Sequence, residues 1–372
     1  MIEKIIMSKS GKRKRKVQTY KCENEHRFQA QHSSPWTDSF IEYVVYIYLR
    51  CLSLNTTIDI IRATYEEKIL TKGLVLEFIE RVADALPTID DVDRIYEPRR
   101  SGYLAFDGVW FKLRGEDIVL LVCFDPETFD IISANWSKEE DKEGYVQLMN
   151  EVLSKLPYEE IRGVYGDGDR GLISALGECL RDVPFQLCIV HKEMRMGQIV
   201  PIKSVERGKK MAAKVKGEIR HFQELFRSCL YTDTKDEAKE NLVTLDKYVQ
   251  TITGANASRF STAYRSLKRN FSLTLTHFDH TNMMRDNNLI ECFNGCLKPR
   301  LKLMKSFKKV KNLDRYLTLF LLEFRFRSLR ESRFKNRRVK NPLELGDVQL
   351  GEYWNFINYL RNQLRLSYQQ NP

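Results

Sequence analysis

From Tyr103 to His191 the hydrophobic pattern switches between the period of a strand and the period of a helix, in an order that admits few folds. Tyr103 to Leu113 reads YLAFDGVWFKL, and period-two alternation puts Ala105, Asp107 and Val109 on one face. The apolar run Ile118 to Phe124 is a second strand, too short for a helix to be preferred. Asp125-Pro126-Glu127-Thr128 is turn chemistry, because proline presets φ at the second turn position. A third strand runs from Ile131 to Trp136. Tyr145, Leu148, Met149, Val152, Leu153 and Leu156 then form one stripe of an amphipathic helix, which Pro157 stops. Strand four, Ile161 to Tyr165, ends in Gly166-Asp167-Gly168-Asp169. A short helix from Leu172 to Leu180 leads to strand five, Phe185 to Val190, and then to His191.

Three meandering strands followed by helix, strand, helix and strand is the order of a ribonuclease-H-like core, an α/β fold. In that order the middle of the first strand lies beside the end of the fourth, and Asp107 and Asp167 stand at those points. A carboxylate within an apolar strand is costly unless something compensates it. Either aspartate alone reads as a satisfied structural residue. The two together read as a divalent-metal site, since Mg2+ takes a few oxygen ligands. Gly166 and Gly168 would let metal or substrate approach the backbone closely. Asp169 rivals Asp167, while Glu116, Asp117 and Asp125 are expected to be solvated in turns.

Asp107-Gly108, then Gly166-Asp167-Gly168-x-Arg170-Gly171-Leu172, then Cys188-Ile189-Val190-His191 resemble, in content and order, motifs of the Mutator-like transposases. Asn288-Leu289-Ile290-Glu291-Cys292-Phe293-Asn294 is similar to the Asn-x-x-Glu-x-x-Asn helix that carries their third acid. The resemblance spans about Tyr103 to Leu303 and includes insertion-sequence transposases of bacteria and archaea. It implies that Asp107, Asp167 and Glu291 bind two Mg2+ (or Mn2+) ions roughly 3.5–4 Å apart and catalyse DNA strand cleavage and strand transfer. It implies a helical insertion, residues 192–285, between the fifth strand and the helix bearing Glu291. It implies double-stranded DNA as partner, both element ends and target, and a homodimer or higher oligomer to bring two ends together. The expected setting is the nucleoid in the cytoplasm of a prokaryotic host. Three other readings stay open: a nuclease of the same fold, a non-catalytic DNA-binding descendant of a transposase, and a zinc-dependent transcription factor.

Charge is distributed to match. Lys298 to Lys340 holds 16 Lys/Arg against three acids, and Met1 to Ala30 nine against three, so these segments carry +13 and +6. With +11 overall, the remainder is net acidic. Basic flanks would hold phosphates around an acidic, metal-holding centre. Lys298, Arg300, Lys302, Lys305, Lys308 and Lys309 are the candidate DNA contacts. Lys12-Arg13-Lys14-Arg15-Lys16 could serve the same end, or be a solvated tail or targeting sequence.

Residues 1–34 read as a basic tail with a degenerate half of a zinc ribbon, Cys22, His26 and His32. Residues 35–87 carry three helices, about Ser39–Leu52, Thr57–Glu66 and Leu74–Leu86. They suggest a helix-turn-helix with its third helix in the major groove, or else a helical packing module. Residues 88–100 read as a linker, 101–191 as the first part of the core, 286–305 as the core helix with the third acid, and 306–372 as a basic helical C-terminal region. Within the last, Leu313 to Phe326 is a helix packed on the core with an arginine face for phosphates. Cys188-x-x-His191 and His277-x-x-His280 bracket the insertion and could form a structural zinc clamp. Alternatively they are core, hydrogen-bonding or DNA-contacting residues. Eight scattered cysteines suggest reduced thiols, and the absence of a long apolar run excludes a membrane-spanning helix.

Overall fold

The structure is a computed structural model. It describes residues 2–370 except 9–10, 18, 22–26, 30–35, 51–52, 66–69, 281, 331, 333 and 354, with backbone alone through residue 29 and at 255, 352 and 364–370. The chain divides into two compact units. The first is Met1–Thr88, Lys311–Arg327 and Leu350–Pro372; the second is Ile89–Val310 and Ser328–Gln349.

In the first unit β1 (Ile2–Ser8) pairs antiparallel with β2 (Gly11–Val17), so the run Lys12–Lys16 lies in a hairpin strand. A second small pair is β3 (Thr19–Lys21) with β4 (Arg27–Gln29). Cys22, His26 and His32 lie outside the described residues. Helices α1 (Asp38–Arg50), α2 (Leu54–Tyr65) and α3 (Lys72–Ala85) form close to their expected bounds. The Thr71 hydroxyl accepts from Leu74 N–H and so caps α3. Ile41, Val44, Val45, Tyr48 and Leu49 form the buried stripe of α1 at helical spacing.

Helices α14 (Val310–Arg325) and α16 (Phe356–Gln370) join this unit almost entirely, and α16 packs on α1 and α3. The arginines of α14 do not face phosphates as expected. Arg315 binds Asp84 and Glu80 of α3, Arg325 is fully buried, and Arg327, two residues past the helix, pairs with Glu323. The reason is the fully buried Glu323 carboxylate, which Arg50 and Arg327 compensate. With Lys72 and Arg81 against Glu77, Glu80 and Asp84, α3 lacks the basic surface suited to a major groove.

In the second unit the expected linker is partly helical: α4 (Ile89–Tyr96) supplies Asp93, which with Asp130 holds the buried Arg100 guanidinium. Five strands follow, β5 (Tyr103–Leu113), β6 (Glu116–Asp125), β7 (Asp130–Ser137), β8 (Gly163–Gly166) and β9 (Phe185–Leu187), in sheet order β7-β6-β5-β8-β9. The first three are antiparallel; β8 and β9 run parallel to β5. Leu104 and Phe106 point to the face covered by α5 (Lys142–Leu153) and α6 (Arg170–Cys179), packing with Tyr145, Leu148 and Leu172. Asp107 points to the other face, toward α13 (Asn288–Met304).

Asp125 is not solvated. It is fully buried and accepts from Ser101 N–H and Oγ and from the N–H groups of Glu127 and Thr128, fixing the turn and the start of β5 together. Glu116 and Asp117 open β6 and are exposed, Asp117 pairing with Lys112. Strand β9 stops at Leu187: Cys188 N–H still bonds Gly166 O, and Cys188 is the residue from which α7 (Ile189–Ile199) starts. The rest of the insertion is α8 (Ile202–Glu206), α9 (Ala213–Ser228), α10 (Lys235–Thr251), α11 (Ala257–Lys268) and α12 (Thr276–Asp279). It has a core of its own, in which Phe222 and Phe260 stack at 4.2 Å. A short α15 (Pro342–Leu345) completes the unit. Among the described residues no helix is long and apolar enough to cross a membrane.

Candidate active site

Ala105 on β5 pairs with Tyr165 on β8, and two residues further along the chain from each stand Asp107 and Asp167. Asp107 is 7% exposed. Its Oδ1 accepts from Gly108 N–H at 2.9 Å and its Oδ2 from Nδ2 of the fully buried Asn294 on α13. Burial, then the charge of Glu291, and then that of Asp167 push the Asp107 carboxyl up to about 6, against the opposing pull of His191. Asp167 is half-buried, and its Oδ1 accepts from Asp169 N–H at 2.9 Å. Asp169, the rival acid, caps α6 by accepting from Gly171 N–H at 2.6 Å.

The glycines around Asp167 serve packing rather than open access. A Cβ on Gly166 would meet Leu172 Cδ2 at 2.3 Å; one on Gly168, at φ +86°, would meet Leu187 Cδ1 at 2.4 Å.

Glu291 lies in the first turn of α13 and is half-buried. His191 Nε2 and Lys298 Nζ each stand 3.5 Å from its carboxylate, and with His191 as the larger influence they hold its pKa down to about 2. Burial disfavours the charged imidazole of His191, but the Cys188 sulfur and the Glu291 carboxylate outweigh it and raise its pKa. Asn287 anchors the start of α13: its Nδ2 donates to Phe106 O at 3.3 Å and its N–H to Cys188 Sγ at 3.3 Å. Among the described residues no three His, Cys, Asp or Glu side chains converge closely enough to hold a metal ion as they stand.

The two Cys/His pairs do not meet at one zinc-binding point. Cys188 and His191 are engaged with Asn287 and Glu291, while His277 is held by Gln186, through its N–H at 2.9 Å and its ring at 3.2 Å. The fully buried Gln186 does the fastening expected of zinc. Its Nε2 also donates to Thr274 O and Arg285 O, both at 3.0–3.2 Å, tying the end of the insertion to β9.

Of the six candidate phosphate contacts, Lys298, Lys302, Lys305, Lys308 and Lys309 are exposed, though Lys298 is paired with Glu291. Arg300 is buried on the Leu297/Leu301 face of α13 and donates to Cys296 O. Two side chains escaped the sequence reading: Asn287, one residue before the recognised motif, and Glu140, hidden in a charged run.

No curated protein sequence matches the chain. Among solved structures it is similar to the Drosophila P element transposase strand transfer complex, at 9% identity and a TM-score of 0.38 over 77% of this chain and 93% of that one. The sequence profile described as Transposase, Mutator family matches residues 33–327. The chain therefore belongs to the Mutator family of transposases.

Proposed function

We propose that this transposase cleaves and joins DNA strands with the help of divalent metal held by Asp107, Asp167 and Glu291. The observation that carries the reading is Asp107, a carboxylate buried within a strand where the nearest acids, Glu291 and Asp167, repel it further. Such a group is stable in its charged form only with a cation beside it. The donor set fits Mg2+ or Mn2+, being all oxygen, and Asn294 adds a fully buried Oδ1 without a hydrogen-bond partner next to Asp107. Bound there, two such ions would activate water and stabilise the departing 3′ oxygen.

The chain's own residues do the rest. Asn294 and Gly108 N–H orient Asp107, the Asp169 amide orients Asp167, and Asn287 sets where α13 begins. His191 and Lys298 keep Glu291 ionised and so available as an oxygen donor. The exposed Lys302, Lys305, Lys308 and Lys309 meet DNA phosphates. The sheet order, with β5 central and β8 parallel to it, supports a ribonuclease-H-like core. Helix α3 carries more acid than base and so gives the α2–α3 pair little charge with which to hold DNA. Two element ends must be joined, so the working unit is a homodimer or larger.

Nicking of supercoiled plasmid with Mg2+ or Mn2+ tests this. Asp107→Ala, Asp167→Ala and Glu291→Ala should each lose about 100-fold or more in rate while still binding DNA. Full activity in any of the three would sink the assignment of that residue, and joining of DNA with defined ends separates a transposase from a plain nuclease.

A further inference from the structure

Arg285 stands two residues before Asn287, in the segment that returns the insertion to the sheet. Its backbone is fastened there, the carbonyl accepting from Ile189 N–H at 3.4 Å and from Gln186 Nε2 at 3.2 Å. Two residues of chain span at most about 7 Å, so Arg285 starts close to Asn287, which itself bonds the carbonyl of Phe106 next to Asp107. Arg285 is exposed, and its guanidinium lies over the Tyr231 ring, 5.6 Å from the centroid. That ring is itself held. The Tyr231 hydroxyl donates to Glu193 Oε2 at 2.7 Å, and Arg227, 5.5 Å from the same centroid, pairs with Glu193 Oε1 at 3.3 Å. Glu193 lies on α7, two residues past His191.

The charges at this point do not balance. Arg50, Arg227 and Arg327 also lie over aromatic rings, and each pairs with a carboxylate, Glu323 or Glu193. Among the described residues the Arg285 guanidinium has no ion pair and no hydrogen bond. Its charge is felt at His277, where burial first, and Arg285 after it, lower the pKa of the imidazole. A ring beneath a guanidinium restrains it without using its N–H donors, so the fork stays open to a second anion. Phosphate suits that fork, because two of its oxygens can be taken at once.

Resting on the reading of this chain as a protein that cleaves and joins DNA, we infer that Arg285, seated on Tyr231, binds a backbone phosphate of the DNA where the insertion meets the start of α13. The lysines from Lys302 to Lys309 supply charge on flexible stems, whereas Arg285 supplies charge in a fixed place. Tyr231, Glu193 and Arg227 act through it, as positioning residues.

The test is titration of fluorescein-labelled duplex DNA of arbitrary sequence with the whole chain, in EDTA, read by anisotropy from 50 to 200 mM salt. Arg285→Gln should weaken binding about tenfold at the lower salt and make the log–log slope shallower by about 0.9, the share of one phosphate. Arg285→Lys should keep the wild-type slope. Tyr231→Leu should keep it too while losing about threefold in affinity, since the charge remains and only its seat is gone. A wild-type slope in Arg285→Gln, with a flattened one when Lys302, Lys305, Lys308 and Lys309 are neutralised, would overturn the inference and leave DNA binding by this chain standing. No salt-dependent binding by the wild type would remove the DNA reading itself. A loss of affinity in Arg285→Gln at unchanged slope, in step with a fall in melting temperature, would make Arg285 a fastener of the insertion and also overturn the inference.

Discussion

Replacing Asp107 by Asn should make the metal-free protein more stable at neutral pH. The folded chain holds the Asp107 carboxyl at about 6 against an ordinary 3.8. Folding therefore favours the protonated form: the stability this gives is full below pH 3.8 and is lost as pH rises through 6. Above that, the charge costs about 3 kcal/mol, at 1.36 kcal/mol for each tenfold change in proton affinity. Asparagine removes the charge and keeps the shape. Its oxygen can still accept from Gly108 N–H, and an amide flip at Asn294 lets the partnerless Oδ1 take the new NH2. Allowing about 1 kcal/mol for weakened hydrogen bonds, a gain of about 2 kcal/mol remains at pH 7.5. For a unit of this size that is about 6 °C in the transition of the second unit. Thermal unfolding with EDTA at pH 7.5 and pH 4 measures it, and the gain should vanish at pH 4. Adding Mg2+ at pH 7.5 should close the gap by stabilising the wild type alone. No gain at pH 7.5, or an equal gain at both pH values, would refute the reasoning, since neither could come from the buried charge.

Two more expectations concern DNA and the insertion. Neutralising Lys302, Lys305, Lys308 and Lys309 should flatten the salt dependence of DNA binding by about 0.9 in log–log slope for each lysine on a phosphate, read by fluorescence anisotropy from 50 to 200 mM salt. An unchanged slope would move the phosphate contacts elsewhere. Gln186→Leu leaves Thr274 O, Arg285 O and His277 N–H without their partner, at a cost of about 3 kcal/mol, and should speed amide exchange around residues 274–287 while β5 and β6 stay protected. Uniform exchange across the unit would show that Gln186 is not a local fastener.

Where a structural fact depends on neighbours in the chain, the sequence shows it. Strand β5 is an apolar run interrupted by Asp107, and the stripe from Tyr145 to Val152 lies on α5 where its spacing requires. Distant partners defeat the reading. Asp125 sits in a textually perfect surface turn, yet the Ser101 backbone and hydroxyl, 24 residues earlier, bury it. Ile189 and Val190 have β-branched side chains suited to a strand, but the N–H of Ile189 turns to Arg285 O and a helix begins. The zinc clamp was plausible from two short spacings, whereas its substitute, Gln186, has no signature because its partners lie 88 to 99 residues away. Glu140 is a similar case: Trp110, 30 residues before it, joins Tyr145 in setting it apart from a solvated charge run. Asp107, Asp167 and Glu291 could be proposed from the sequence because they stand in local strings that resemble the family's motifs; Asn287 falls one residue outside those strings.

The assignment of α14 and α16 to the same unit as α1 to α3 has a consequence for synthesis on the ribosome. Helix α16 packs on α1 and α3, yet it is made only after them and after the whole of Ile89–Val310 in between. The N-terminal helices must therefore wait, with an apolar flank uncovered, while the sheet and insertion are translated. Early release of the nascent chain leaves that flank without its cover. A premature stop anywhere before Phe356 should thus give a product that aggregates or is captured by chaperones, however complete its acids are. For a mobile gene this makes truncation self-limiting: a shortened copy does not leave behind a soluble DNA-binding fragment to compete with the intact enzyme.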